Sequence, residues 1–135
     1  MVLVSLKVSM ALICPDCNAH TLHIQQSLEL PPDGYDDEIT LQLVGCSGCG
    51  LEALALYTES RRGSLDSDAW QHEGFRVRPA DFRAVARAIE RCPQPSDKRC
   101  TCPTHQTLGQ TSDYRWDGLQ QSGVMVQGVF AISAG

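Results

Sequence analysis

The chain has 135 residues, 42% hydrophobic but only 6% aromatic, and a formal net charge of −5. That length suits one domain, or two small modules sharing a core, and no apolar run approaches the ~20 residues a membrane span needs. Seven cysteines are an odd number, which excludes a fully paired disulfide framework.

The front of the chain, Met1 to Ile13, has its lysine in the middle and no small-residue cleavage site, so it is not a secretory signal. The expected compartment is therefore the cytoplasm, where clustered cysteines bind metal more often than they form disulfides. Residues 1–9 are either an extra strand or an extension upstream of a start at Met10. From Met10 a strand leads into Cys14-Pro-Asp-Cys17. Ala19 to Leu30 alternates loosely and reads as a strand; Pro31 to Glu38, with two prolines and an Asp-Gly pair, reads as a turn. Ile39 to Val44 alternates cleanly and predicts a strand that runs into Gly45-Cys-Ser-Gly-Cys-Gly50. Leu51 to Tyr57 fits a third strand, although its propensities also suit a helix.

Glu59 to Asp68 is a polar connection, and Phe75 to Val77 is a candidate short strand. The clearest helix follows: Pro79 suits its first position, Asp81 its first turn, and Phe82, Val85, Ala86 and Ile89 a buried stripe. Pro93 stops it just after Cys92. Thr107 to Asp117 looks irregular, and Val124 to Ile132 predicts a terminal strand in which Gly128 marks a bulge or a close neighbour.

The cysteines divide into two donor sets. Cys14, Cys17, Cys46 and Cys49 form two CxxC pairs, each after an apolar strand-like segment; four thiolates close a tetrahedral zinc site with no open position. Once these are removed, Cys92, Cys100 and Cys102 remain, and His105 follows within three residues. Three sulfurs and an imidazole complete a second closed site, in a loop stiffened by Pro93, Pro95 and Pro103. Loose thiols on a loop would be reactive, which favours metal over three unligated cysteines.

Through Cys14-Pro-Asp-Cys17 and Gly45-Cys-Ser-Gly-Cys-Gly50 the chain resembles zinc-ribbon proteins over about residues 10–58, departing from their commonest pattern at Asn18, where glycine often follows the first pair. The resemblance implies a three-stranded antiparallel sheet pinned at one end by zinc. The expected fold is thus α+β, small and β-rich: a zinc ribbon over 1–60, then one helix, a second metal-stapled loop and a C-terminal strand over 61–135, packed as one unit. Rubredoxin-like iron proteins share paired CxxC motifs, but the aromatic shell here is thin. A thioredoxin-type pair would open a helix, whereas the residues after Cys17 read as strand.

Charge is uneven. Residues 1–60 hold eight acids and one base, a net of −7, and residues 61–135 carry +2. Arg83, Arg87 and Arg91 recur every four residues on one helix face and are candidate phosphate contacts. A solvated helix face, or docking of the acidic turn at 33–38 on these arginines, explains them more simply. His20 and His23, three apart on a strand, face opposite ways and make a poor chelate. His72, beside Trp70, reads as local packing around a turn. The functional expectation is a zinc-binding protein with two structural zinc ions, acting without enzymatic activity as an interaction or regulatory module. It would have protein partners ahead of nucleic acid and no membrane; nucleic-acid binding through the arginine-rich half and iron-based electron transfer are the alternatives.

Overall fold

The computed structural model describes residues 11–34, 37–60 and 69–134; the expectations for residues 1–9 and for 61–68 lie outside them. In chain order the elements are β1 (Leu22–Leu30), β2 (Glu38–Cys46), β3 (Glu52–Ser60), β4 (Ala69–Val77), α1 (Pro79–Arg91), α2 (Pro103–Leu108), β5 (Thr111–Ser112), β6 (Arg115–Trp116), α3 (Gly118–Gln121) and β7 (Val126–Ala131).

The three strands expected of a ribbon are present, but the sheet does not stop there. It has five strands in the order β1-β2-β3-β4-β7, and every neighbouring pair is antiparallel. The expectation of a three-stranded sheet with one helix is therefore corrected to five strands with three helices among the described residues. The short strand expected at Phe75 to Val77 is a full nine-residue β4. Its alternation is obscured because polar residues occur on both faces and Gly74 interrupts the run. That glycine has a packing cause: the Phe130 ring of β7 occupies the space a Cβ would fill.

Both faces of the sheet bury apolar side chains. On one, Leu28 and Leu30 of β1, Ile39, Leu41 and Leu43 of β2 and Leu54 of β3 meet Phe82, Val85 and Ile89 of α1. On the other, Leu22, Val44, Ala53 and Ala55 pack with Leu12 and Ile132. The loose alternation of β1 has its explanation here. A register shift between Ile24 and Gln26 moves Leu22 to one face and Leu28 and Leu30 to the other. Each leucine buried this way contributes about 1.5–3 kcal/mol.

The helix α1 covers the predicted residues, with Pro79 in its first turn, Asp81 beside it, and Phe82, Val85 and Ile89 buried. Cys92 closes it in extended conformation, as a residue before proline must. The stretch expected to be irregular, Thr107 to Asp117, instead holds the end of α2 and the β5–β6 hairpin, whose two turn residues Asp113 and Tyr114 both have positive φ. Trp116 donates its indole N–H to the Leu108 carbonyl at 2.6 Å and so packs inward, while Tyr114 is exposed. Gly128 lies opposite Arg76 where the β4–β7 register shifts, matching the predicted bulge. No helix among the described residues is long and apolar enough to cross a membrane.

Candidate metal centres

The first centre is built from two turns of the same design. In the turn before β1, the Asn18 N–H donates to the Cys14 carbonyl and the Cys14 N–H to the Ala19 carbonyl, both at 2.9 Å. Between β2 and β3, Gly50 and Cys46 repeat these bonds with the Cys46 and Leu51 carbonyls, at 3.0 and 2.8 Å. Each turn needs a left-handed residue after its second cysteine: Gly50 has φ 84° and Asn18 φ 62°. Asparagine tolerates that conformation better than most residues, so the departure at Asn18 preserves the turn.

These turns aim backbone N–H groups at sulfur. Asp16 N–H points at Cys14 Sγ (3.4 Å), and Gly48 and Cys49 N–H both point at Cys46 Sγ (3.3 Å). The Thr21 hydroxyl lies 3.0 Å from Cys46 Sγ. Cys14 and Cys49 sulfurs are 3.6 Å apart, and those of Cys17 and Cys46 3.7 Å. Cys14 and Cys46 are buried; Cys17 and Cys49 are exposed. Hydrogen bonding from Thr21 and from the Cys49 and Gly48 backbones lowers the Cys46 thiol to about 6 against the opposing effect of burial. For Cys49 the Leu51 backbone N–H works downward but is outweighed by its bond to Cys14, burial, and Cys46 and Cys17, which together push it up to about 12.

The second centre joins α1 to α2. Cys92 caps the end of α1, and Cys102 caps the start of α2, its sulfur accepting from the His105 N–H at 3.4 Å. His105 Nδ1 lies 3.3 Å from both Cys92 Sγ and Cys102 Sγ. Cys92 Sγ is 3.4 Å from Cys102 Sγ and 3.9 Å from Cys100 Sγ. On its far side the His105 ring donates from Nε2 to the Glu29 carbonyl of β1 at 2.9 Å. That bond selects the tautomer whose Nδ1 lone pair faces the sulfurs, the arrangement metal-binding histidines use. Cys92 and His105 are buried. Burial leads the causes that push Cys92 up to about 11; at Cys102 burial also works upward but is outweighed by the His105 backbone and ring and the neighbouring thiols, leaving it lowered to about 6.

In each set all four donor atoms lie within 4.8 Å of one another. A tetrahedral centre with metal–sulfur bonds of about 2.3 Å has edges of about 3.8 Å, and the sulfur separations of 3.4 to 3.9 Å lie close to it. None of the seven sulfurs is in a disulfide. The residues present therefore fit two metal ions, one held by four cysteines and one by three cysteines and a histidine.

The other singled-out residues have different roles. Arg83, Arg87 and Arg91 are exposed on α1, and no ion pair holds them among the described residues. Among the described residues of the acidic turn, Asp37 pairs with Arg115 at 3.5 Å. Arg76 lies on the sheet, forms two hydrogen bonds to Asp16, and covers the Phe130 ring at 5.2 Å. His72 is not at a turn. It sits mid-strand in β4, its Nε2 2.7 Å from Gln42 Oε1 and its ring edge-on to Tyr57. Sequence reasoning missed Thr21 and Glu29, which support the ligands from distant positions and carry no local signal. Comparison of the chain with family models, with curated proteins and with solved structures returned no match.

Proposed function

We propose that this protein is a structural zinc protein that binds two ions and works, without catalysis, as a module for contacting other proteins in a reducing cytoplasm. One observation carries the reading: eight donors from four separate segments converge into two complete four-donor sets. Three cysteines with a histidine are a zinc set, and neither centre leaves a position for substrate. Closed sites of this kind contribute folding energy, which suits a chain with few aromatics. Metal analysis of the purified protein tests it. The expected result is a colourless protein with about two zinc equivalents per chain; a red, iron-loaded protein would support electron transfer instead.

A second reading has its own support. Arg83, Arg87 and Arg91 are exposed along one helix, without an acidic partner among the described residues, and such a stripe suits phosphates. Binding to a duplex that falls steeply between low and moderate salt would favour it, and no binding at low salt would remove it.

A further inference from the structure

The two centres shelter their sulfurs unequally. In the second, Cys92 is buried and Cys100 and Cys102 are half-buried. In the first, Cys14 and Cys46 are buried but Cys17 and Cys49 are exposed. Hydrogen bonding separates these two exposed sulfurs. The Asp16 N–H points at Cys14, those of Gly48 and Cys49 at Cys46, and that of Leu51 at Cys49. Among the described residues no N–H points at Cys17, whose polar neighbour is the Thr21 hydroxyl at 3.7 Å. An N–H aimed at a thiolate ties up electron density the sulfur would use to attack. Cys17 is therefore the sulfur of this set that is both accessible and least restrained. Charge acts in the same direction: four thiolates around a divalent ion carry one more negative charge than three with an imidazole, so the first set gives up electrons more readily.

A partner for Cys17 is in place. Cys46 Sγ lies 3.7 Å away in the other turn, and Cys14 and Cys49 form a second pair across the turns at 3.6 Å. We propose that the first centre is a peroxide-sensitive switch: oxidation turns its four thiolates into Cys17–Cys46 and Cys14–Cys49 disulfides and releases its ion, while the second centre keeps its own. A lone pair of Cys17 Sγ attacks one oxygen of hydrogen peroxide; the S–O bond forms as the O–O bond breaks, and the other oxygen leaves as hydroxide. Cys46 Sγ then attacks the Cys17 sulfur, forming the S–S bond and displacing the remaining oxygen as a second hydroxide. Each peroxide thus takes two electrons from one pair of sulfurs, and another oxidises Cys14 and Cys49 in the same way. Once a pair is bridged, the donor set no longer closes around an ion. Both bridges join the turn before β1 to the turn between β2 and β3, so a covalent tie replaces the metal at the same place and the sheet stays folded. Thiol reductants reverse the change. The inference rests on the zinc reading of both centres and adds regulation to the first.

Limiting hydrogen peroxide added to the zinc-loaded full-length chain tests it. A chromogenic chelator reads the released zinc, and mass spectrometry after unfolding and alkylation reads the thiols. One of the two zinc equivalents should appear, the Cys17–Cys46 bridge should form before Cys14–Cys49, and Cys92, Cys100 and Cys102 should remain open to alkylation. Circular dichroism should be unchanged, and dithiothreitol with added zinc should restore the lost equivalent. Cys17→His keeps a donor but removes the attacking sulfur; it should retain both ions and release the first at a small fraction of the wild-type rate. Where that substitution costs the ion outright, the order of bridges in wild type decides. No released zinc, release of both ions together, oxidation of Cys92, Cys100 or Cys102 ahead of Cys17, or a loaded Cys17→His variant as labile as wild type overturns the proposal. A chain that carries fewer than two zinc ions before peroxide is added overturns the zinc reading itself, a separate result.

Discussion

His105 performs two separable tasks, and a pair of substitutions can divide them. Its Nδ1 completes the second donor set, and its Nε2–H holds the Glu29 carbonyl at 2.9 Å. His105→Ala removes both. His105→Cys removes only the second, because it converts Cys102-Pro-Thr-His105 into the spacing that already works at Cys14-Pro-Asp-Cys17. A structural zinc contributes on the order of 10 kcal/mol in small peptides, comparable with the about 5–15 kcal/mol that holds a whole domain folded. The alanine variant should therefore bind one zinc instead of two and lose order at the α1–α2 junction. The cysteine variant should keep two and lose only the buried hydrogen bond. Leaving the Glu29 carbonyl without that donor costs about 1–3 kcal/mol, a drop of roughly 3–15 °C in Tm at this chain length. Elemental analysis gives the stoichiometry, and urea unfolding at buffered free zinc gives the stability. An alanine variant that retains both ions with wild-type affinity, or a cysteine variant that drops to one, would refute the ligand assignment.

Three further outcomes are expected. Thr21→Val takes away the hydroxyl 3.0 Å from Cys46 Sγ and should weaken zinc at the first centre by about 10–100-fold in a chelator competition, leaving the second unchanged. Gly74→Ala drives a methyl into the Phe130 ring and should cost about 1–3 kcal/mol in denaturant unfolding, whereas Phe130→Leu in the same chain should recover part of it. Burial lowers the pKa of His72 from 6.5, so the unfolded chain takes up its proton first as pH falls. The stabilising effect of keeping His72 neutral is complete above 6.5 and declines below it. Nuclear magnetic resonance should place its titration below 6.5, and His72→Gln should flatten that part of the pH–stability curve.

What could be read in the chain depended on how local its cause was. The donor sets were legible because metal chemistry requires particular atoms in fixed numbers: two CxxC pairs make one set of four, and Cys92, Cys100, Cys102 and His105, close together in the chain, make the other. The strands β2 and β3 and the helix α1 were legible because apolar residues recur at the period of the element. The helix α2 was not, although Cys102-Pro103 resembles an N-terminus: its six residues overlap the ligand motif, whose prolines equally suit a stiffened loop. The strand β4 was hidden by Gly74, whose reason lies in Phe130, 56 positions away. Thr21 and Glu29 were invisible for the same reason. Glu29 meets His105 through its backbone carbonyl, an atom every residue possesses, so no side-chain pattern can announce it.

The two centres hold opposite ends of the same strand. The first gathers the turn before Leu22 and the turn between β2 and β3; the second is tied to Glu29, seven residues up β1 and about 23 Å away along it. They should therefore fail separately. Cys17 and Cys49 are exposed, while Cys92 and His105 are buried, so a chelator reaches the first ion more easily. Its loss frees the Asp16, Gly48 and Cys49 N–H groups from sulfur but leaves the paired strands and α1 packed. Removing the second ion has a wider effect. It unfastens the end of α1 from α2 and releases the donor on Glu29 that covers the β1 edge. Hydrogen exchange followed during chelation should show two steps: the knuckle amides first, with one equivalent of metal released, then Glu29, Gln106 and Gly109 with the second. Simultaneous loss of both groups, or the reverse order, would mean that exposure of the ligands does not govern access and that the sheet does not insulate one centre from the other.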